Sequence, residues 1–315
     1  MANHRSRPFV VVLGAGLAGL AAADRLIRAG CRVTVLEAQN EVGGRARRLD
    51  HPFAPGLVAE CGPARFPADF TRVIALARRF HLELEPFYPR EGSIVGWIGG
   101  RRTVGVDPDN QQFWGYRLHL GGLRALLWSW RGRLPQRMYH VQGGTHRLPQ
   151  ALAASLDAEF RMERRATFVH HRAAGVVVES SGPHGDEELE ADAAVCAVPL
   201  SRVSGIDFWP TLEADRLELI ERIGSMAAVR VFFQMSRPFW REEGLNGFAI
   251  TDTIGEVWAP RFSTSGSSCL MVCYAQRELA EQLCAMSSIV RIEYVLSELE
   301  KIFPGAARHV EDAAT

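Results

Sequence analysis

The sequence predicts an α/β fold accompanied by a second, α+β region, and three observations carry that prediction. Residues 9–13, FVVVL, form the β-branched run of a short buried strand. Gly14, Gly16 and Gly19 follow it in G-x-G-x-x-G spacing and open Leu17 to Arg28, a helical segment with Gly30 placed to end it. Arg32 to Leu36 reads as a second strand, and Glu37 stands at its end, about 20 residues beyond the glycines. Strand, glycine turn, helix, strand and acid together make a βαβ unit of the Rossmann type, the context a dinucleotide site requires.

Each residue of that unit has its own physical task. Gly14 permits the tight turn, Gly16 lets a pyrophosphate approach the backbone, and Gly19 lets helix and sheet pack closely. The helix N-terminus offers unpaired N–H groups and the positive end of its dipole to phosphate. Glu37 can accept a hydrogen bond from a ribose hydroxyl and disfavours a phosphorylated ribose. A secretory signal could share the uncharged run from Pro8 to Ala23 after Arg5 and Arg7. That run is shorter than the roughly 20 residues of a membrane span, and a signal gives no reason for the glycine spacing or for Glu37.

Composition excludes several classes. The 315 residues carry equal numbers of acidic and basic side chains and are 47% hydrophobic and 23% charged, an ordinary globular balance that points to no nucleic acid and no membrane. Six cysteines show no metal-ligand spacing; Cys269 and Cys273 lie four apart in an expected strand and read as core thiols. A reducing, cytoplasmic setting fits them. Lys301 is the single lysine.

Past Glu37 the chain reads E-A-x-x-x-x-G-G-R, with Ala38, Gly43, Gly44 and Arg45. The glycine turn alone leaves FAD and NAD open. With this second element, residues 9–47 resemble the flavin amine oxidase superfamily, in which the glycine pair and arginine approach the pyrophosphate and ring of FAD. The resemblance implies a glutathione-reductase-like, Rossmann-type FAD-binding domain.

The segment 58–67, VAECGPARFP, resembles the motif of L-amino-acid oxidases and tryptophan monooxygenases. That resemblance implies cofactor contacts from Gly62, Pro63, Ala64 and Arg65, with Arg65 gripping the substrate carboxylate. A planar guanidinium suits that task because it can donate two parallel hydrogen bonds. The residues by themselves favour an Arg65 that pairs with Glu60 or another acid on a loop.

Further along, Asp69 is placed to cap a helix reaching Phe80, with Phe70, Val73, Ile74, Ala77 and Phe80 on one face. Residues 94–98 and 101–106 form an expected hairpin about Gly99-Gly100, and 107–110 a turn. Trp114, Tyr116, Trp128 and Trp130 are expected core groups or channel walls. Gly143 and Gly144 lead into a helix, His140 and His146 are assigned to structure, and Ala193 to Pro199 is an apolar strand. The family likeness implies that backbone near Ala166 and Thr167 meets the adenine. Pro210 to Ile223 is an expected amphipathic helix; strands follow within 227–240, 247–252, 257–260 and 268–274, and two helices within 277–303 break near Ser287-Ser288.

Two departures from the family pattern stand out. Its usual lysine, ten residues before the tryptophan of the F-W pair, is Arg230 here, which keeps the charge but cannot act as a base. An anionic substrate group is one possible partner for it. The family's final glycine-rich FAD segment has no match in 277–315. A second polypeptide is therefore expected to complete the fold.

The resulting expectation is an FAD-binding domain of residues 1–66 and 140–200 and a substrate domain of 67–139 and 201–315. Its reaction is oxidative deamination of an L-amino acid by oxygen to the 2-oxo acid, ammonia and hydrogen peroxide, as one subunit of a hetero-oligomer. Arg65 and Arg230 are the candidate catalytic residues. Amide-forming monooxygenation and a non-catalytic flavoprotein-like subunit are the alternatives.

Overall fold

The computed structural model describes residues 7–49, 51–89, 91–106, 138–223 and 226–315. The expected turn at 107–110 and the aromatic cluster at 114–130 lie outside them. The chain divides into two compact units, residues 1–47 with 146–225 and residues 48–145 with 226–315.

In the first unit a parallel sheet runs in the order Glu159–Arg161, Arg32–Leu36, Phe9–Leu13, Ala193–Cys196. Val10 to Leu13 are all buried, as a parallel strand covered on both faces requires. Helix Leu17–Arg28 makes the crossover and packs against helix Arg147–Ala154. On the other side lies a sheet of Gly185–Ala191, Gly175–Gly182, Arg165–Arg172 and Asp207–Trp209. Val11, Leu13 and Leu36 meet Val169, Val176, Val178 and Ile206 between the two sheets.

The second unit is built on a mixed sheet whose strands run in the order Val310–Ala314, Ala228–Met235, Ser268–Gln276, Glu256–Trp258, Leu245–Thr251, Ser93–Ile98, Arg101–Val106. Strand alternation separates its two faces. Val229, Val231, Phe233 and Met235, with Met271 and Cys273, pack against helices Arg277–Cys284 and Ser288–Ile302. Cys269 and Cys273 are both buried in that core. The opposite face carries Phe232, Leu270, Val272 and Trp258, which pack with Phe53, Leu57 and Phe87. Among the described residues no helix is long and apolar enough to cross a membrane.

Several local expectations change. The boundaries expected at 66, 140 and 200 fall instead at 47, 145 and 225. Phe53, Leu57, Ala59 and Ala64 pack with Phe232, Leu270 and Trp258, Ala54 and Val58 donate to Gln234 and Ser263, and Phe66–Pro67 pairs with Met138–Val141, which ties 48–66 and 138–141 to the second unit. Asp207–Trp209 pairs with Arg165–Arg172 and keeps 201–225 in the first. The helix near 70 is Thr71–Arg79, capped from Phe70 with no side-chain bond; Phe70 is exposed and Ala77 alone is buried. Helix Ala214–Arg222 buries none of its residues. Strand Val310–Ala314 was not expected, because VEDAA has too little apolar content to signal one.

Candidate functional site

The first unit contains a glycine cradle. Gly14 adopts φ +100° and donates its N–H to Leu36 O at 2.7 Å, which carries the ladder with strand Arg32–Leu36 into the turn. A Cβ on Gly19 would stand 1.9 Å from Gly14 O, so helix and turn are in backbone contact there. A Cβ on Gly16 would meet nothing within 4 Å. Gly16 also caps helix Leu17–Arg28 with no side-chain bond and no acid in the first turn, which leaves its leading N–H groups available. Gly43 bridges to Gly16 and donates to Ala15 O at 2.9 Å, and both Gly43 and Gly44 have positive φ. The second glycine pair is thereby fastened to the first turn.

Glu37 is buried, accepting from Ala15 N at 2.7 Å and Gln39 N at 2.9 Å, one bond on each carboxylate oxygen. Each oxygen keeps a further lone pair for a hydroxyl donor. Ala38 is half-buried and Arg45 exposed. Thr167 sits at a register shift between Ala166 and Phe168, so its backbone falls outside the regular ladder to Gly175–Gly182. An open backbone cradle, a bare helix N-terminus and a nearby carboxylate fit the pyrophosphate and ribose of FAD. Gly62, Pro63, Ala64 and Arg65 belong to the second unit.

In the second unit the sheet register assembles a charged cluster. Arg230 stands opposite Tyr274, and Tyr274 opposite Glu256, so the three share a face; Trp258, two residues past Glu256, shares it too. Arg65 arrives from the loop after Ala59–Glu60 and forms an ion pair through Nη2 with Glu256. Its Cζ lies 4.7 Å from the Phe87 ring centroid, 5.9 Å from Tyr88 and 5.8 Å from Trp258. Burial opposes the charge on Arg65, and Glu256, together with Tyr88 and Tyr274, outweighs it and pushes its pKa up. Of the two pairings the sequence left open, carboxylate partner or substrate grip, the structure thus shows the first, with Glu256 rather than Glu60.

Arg230 has a different environment. Its Nη1 donates to the main-chain oxygen of Glu60, and its Cζ lies 4.9 Å from Tyr274 and 5.5 Å from Trp258. Burial lowers its pKa, partly offset by Tyr274 and Glu60. Among the described residues no carboxylate forms an ion pair with it.

Glu60 was not singled out by the sequence. Its Oε1 accepts the N–H of Thr145, and burial raises its carboxyl from 4.5 to about 7 against the opposing pull of that bond and of Arg230. Glu60 also lines a cleft of about 700 Å³ in this unit, with Phe87, His140, Trp240, Phe248 and Trp258. Arg65 and Arg230 are not among its wall residues. His140 stacks on Phe262 at 5.3 Å, and burial and then Arg261 hold its pKa down at about 4.

The profile of the family described as flavin containing amine oxidoreductase matches residues 17–140 and 111–314. An L-amino-acid oxidase of Mus musculus is 25% identical over 78% of this chain and 50% of its own length. A tryptophan 2-monooxygenase of Pantoea agglomerans is 39% identical over 39% of this chain and 22% of its own. The chain therefore spans half or less of these two relatives. Wild-type putrescine oxidase bound to putrescine shares the fold at a TM-score of 0.81 and 21% identity, over 98% of this chain and 84% of that one.

Proposed function

The chain belongs to the flavin-containing amine oxidoreductase family, and from that premise we propose that it oxidises an L-amino acid to the imino acid, which hydrolyses to the 2-oxo acid and ammonia. FAD when bound supplies the two-electron acceptor, and oxygen takes the electrons as hydrogen peroxide. Gly14, Gly16, Gly19, Glu37, Ala38, Gly43, Gly44 and Arg45 would hold it, with backbone at Ala166 and Thr167.

One observation carries the substrate reading. Two half-buried guanidinium groups, Arg65 and Arg230, lie over the same indole, Arg65 ion-paired with Glu256 and Arg230 with no ion pair among the described residues, and the Glu60 carboxyl is held to about 7. Near neutral pH the cluster carries excess positive charge, and a substrate carboxylate compensates it. Arg65 offers its remaining N–H groups, and Arg230 a guanidinium that forms no ion pair among the described residues. Arg230→Met tests this: KM for an amino acid rises about 10- to 100-fold, as loss of a charge-assisted hydrogen bond requires, while kcat changes less.

A second reading, oxidation of an amine lacking a carboxylate, is favoured by the Arg65–Glu256 pair, which already satisfies one guanidinium. Amide as the product in place of 2-oxo acid would instead mark a monooxygenase. Flavin that no amino acid or amine reduces would mark a non-catalytic subunit.

We place the chain in the cytoplasm and in a hetero-oligomer. No disulfide joins its cysteines. Strand Ala193–Cys196 ends the parallel sheet of the first unit with Ala193 and Cys196 exposed. An apolar parallel edge calls for cover, which a strand from a second polypeptide would provide. Native mass spectrometry of the chain purified from its source tests it; a stable monomer that binds FAD at one to one overturns it.

A further inference from the structure

The geometry points to Glu60 as the group that takes the proton from the substrate's ammonium, an assignment that rests on the amine-oxidising reading above. Hydride can leave Cα only when the nitrogen lone pair is free to form the C=N bond. An amino acid arrives at neutral pH with that pair protonated. A carboxylate within the substrate cleft removes the obstacle by simple transfer. The ammonium N–H bond breaks, the carboxyl O–H bond forms, the electron pair stays on nitrogen, and nothing is oxidised or reduced in the step.

Four features select Glu60. It is a wall residue of the cleft although buried as a residue. Its Oε1 is held by the Thr145 N–H, which fixes the side chain and leaves Oε2 without a hydrogen bond among the described residues. Its own main-chain oxygen takes the Arg230 guanidinium, which stands behind the cleft wall, so Glu60 lies between the cleft and the cation proposed for the carboxylate. The cleft's other candidate bases are less well placed: Glu91 is exposed to solvent, the His140 imidazole, at about 4, is too weak a base, and the Cys269 thiol, at about 11, keeps its proton.

The charged and titratable groups around Glu60 come from several elements. Arg230 approaches from strand Ala228–Met235, and Arg48 is its cross-strand partner. His140, Glu91, Arg241 and Arg261 line the same cleft. Burial outweighs the opposing pull of Thr145 and Arg230 and raises the carboxyl to about 7, the range in which a base is half available at physiological pH.

Glu60→Gln keeps an acceptor for Thr145 and removes the base. Anaerobic flavin reduction by the preferred substrate is followed against pH for the full chain, wild type and variant, each saturated with FAD. The wild type should lose rate below about pH 7. The variant should be slower by about 100-fold at pH 7, should approach the wild type at a pH where the free amine exists in solution, and should be rescued in part by Glu60→Asp. An infrared pH titration of wild type minus variant, without substrate, should show one protonated-carboxyl band disappearing near neutrality. An unchanged pH profile in the variant, or no such band, overturns the assignment. Wild type reduced by amines but by no amino acid overturns the amino-acid reading alone, and Glu60 is then tested with the amine. Wild type that nothing reduces overturns both.

Discussion

Trp258 holds two guanidinium groups within cation–π reach at once, the Cζ of Arg65 at 5.8 Å and that of Arg230 at 5.5 Å from its ring centroid. The two arginines come from segments 165 residues apart, and the indole is the surface they share. Trp258→Phe should keep most of this stacking. Trp258→Ala should cost about 3–5 kcal/mol, from the cavity and lost burial of a side chain only 3% exposed. Urea unfolding with fixed m-value checks it; a loss below about 1 kcal/mol for the alanine variant would show that the ring is not packed as described.

The Arg65–Glu256 pair should behave as a half-buried, coupled unit. Arg65→Met removes this ion pair and should destabilise by about 1–3 kcal/mol. Adding Glu256→Met should return most of that loss. A double-mutant cycle with no coupling, measured by thermal or urea unfolding, would mean that the two side chains do not interact in solution.

Glu60 gives a signed pH dependence for stability. Its pKa is higher folded than unfolded, about 7 against 4.5, so between those values the folded form holds a proton that the unfolded form has released. The contribution is complete below about pH 4.5 and is lost as pH rises through 7, a change of roughly 3 kcal/mol. Wild-type stability, relative to Glu60→Gln, should fall between pH 5 and 8. A difference that is flat over this range, or that grows with pH, contradicts the buried carboxyl.

The two inner glycines of the cradle should separate folding from binding. Gly19→Ala places a Cβ against Gly14 O and should damage the βαβ unit itself, seen as loss of helical signal and soluble yield. Gly16 has φ −71°, which alanine adopts readily, and open space beyond it. Gly16→Ala should therefore melt like wild type yet bind FAD about tenfold more weakly. Equal FAD affinity in that variant would remove Gly16 from the site.

Local signals in the sequence were enough for the βαβ unit, the hairpin at Gly99-Gly100 and the two helices on either side of Ser287, since glycine spacing, turn chemistry and periodicity act over a few residues. What sequence reading missed is non-local. Nothing near Arg65 announces Glu256, 191 residues away, and nothing near Arg230 announces its register with Tyr274. Glu256 and Trp258 do stand two apart in a strand, so their common face was readable, but its neighbours depended on strand order. Glu60 looked like one more acid in a motif, because its perturbation comes from burial, which composition does not record. The unit boundaries shifted for the same reason: Phe53, Leu57 and Ala59 carry no strand or helix pattern, yet their packing on Phe232, Leu270 and Trp258 decides where 48–66 belongs.

The most direct measurement is anaerobic bleaching of the FAD-saturated full chain by each L-amino acid beside the corresponding amine that lacks the carboxylate, with the product identified after oxygen is admitted. The account predicts bleaching by at least one L-amino acid, weaker bleaching by its decarboxylated counterpart, and 2-oxo acid, ammonia and hydrogen peroxide as products. Bleaching by amines with no response to any amino acid would contradict it and assign the excess charge of Arg65 and Arg230 to another role.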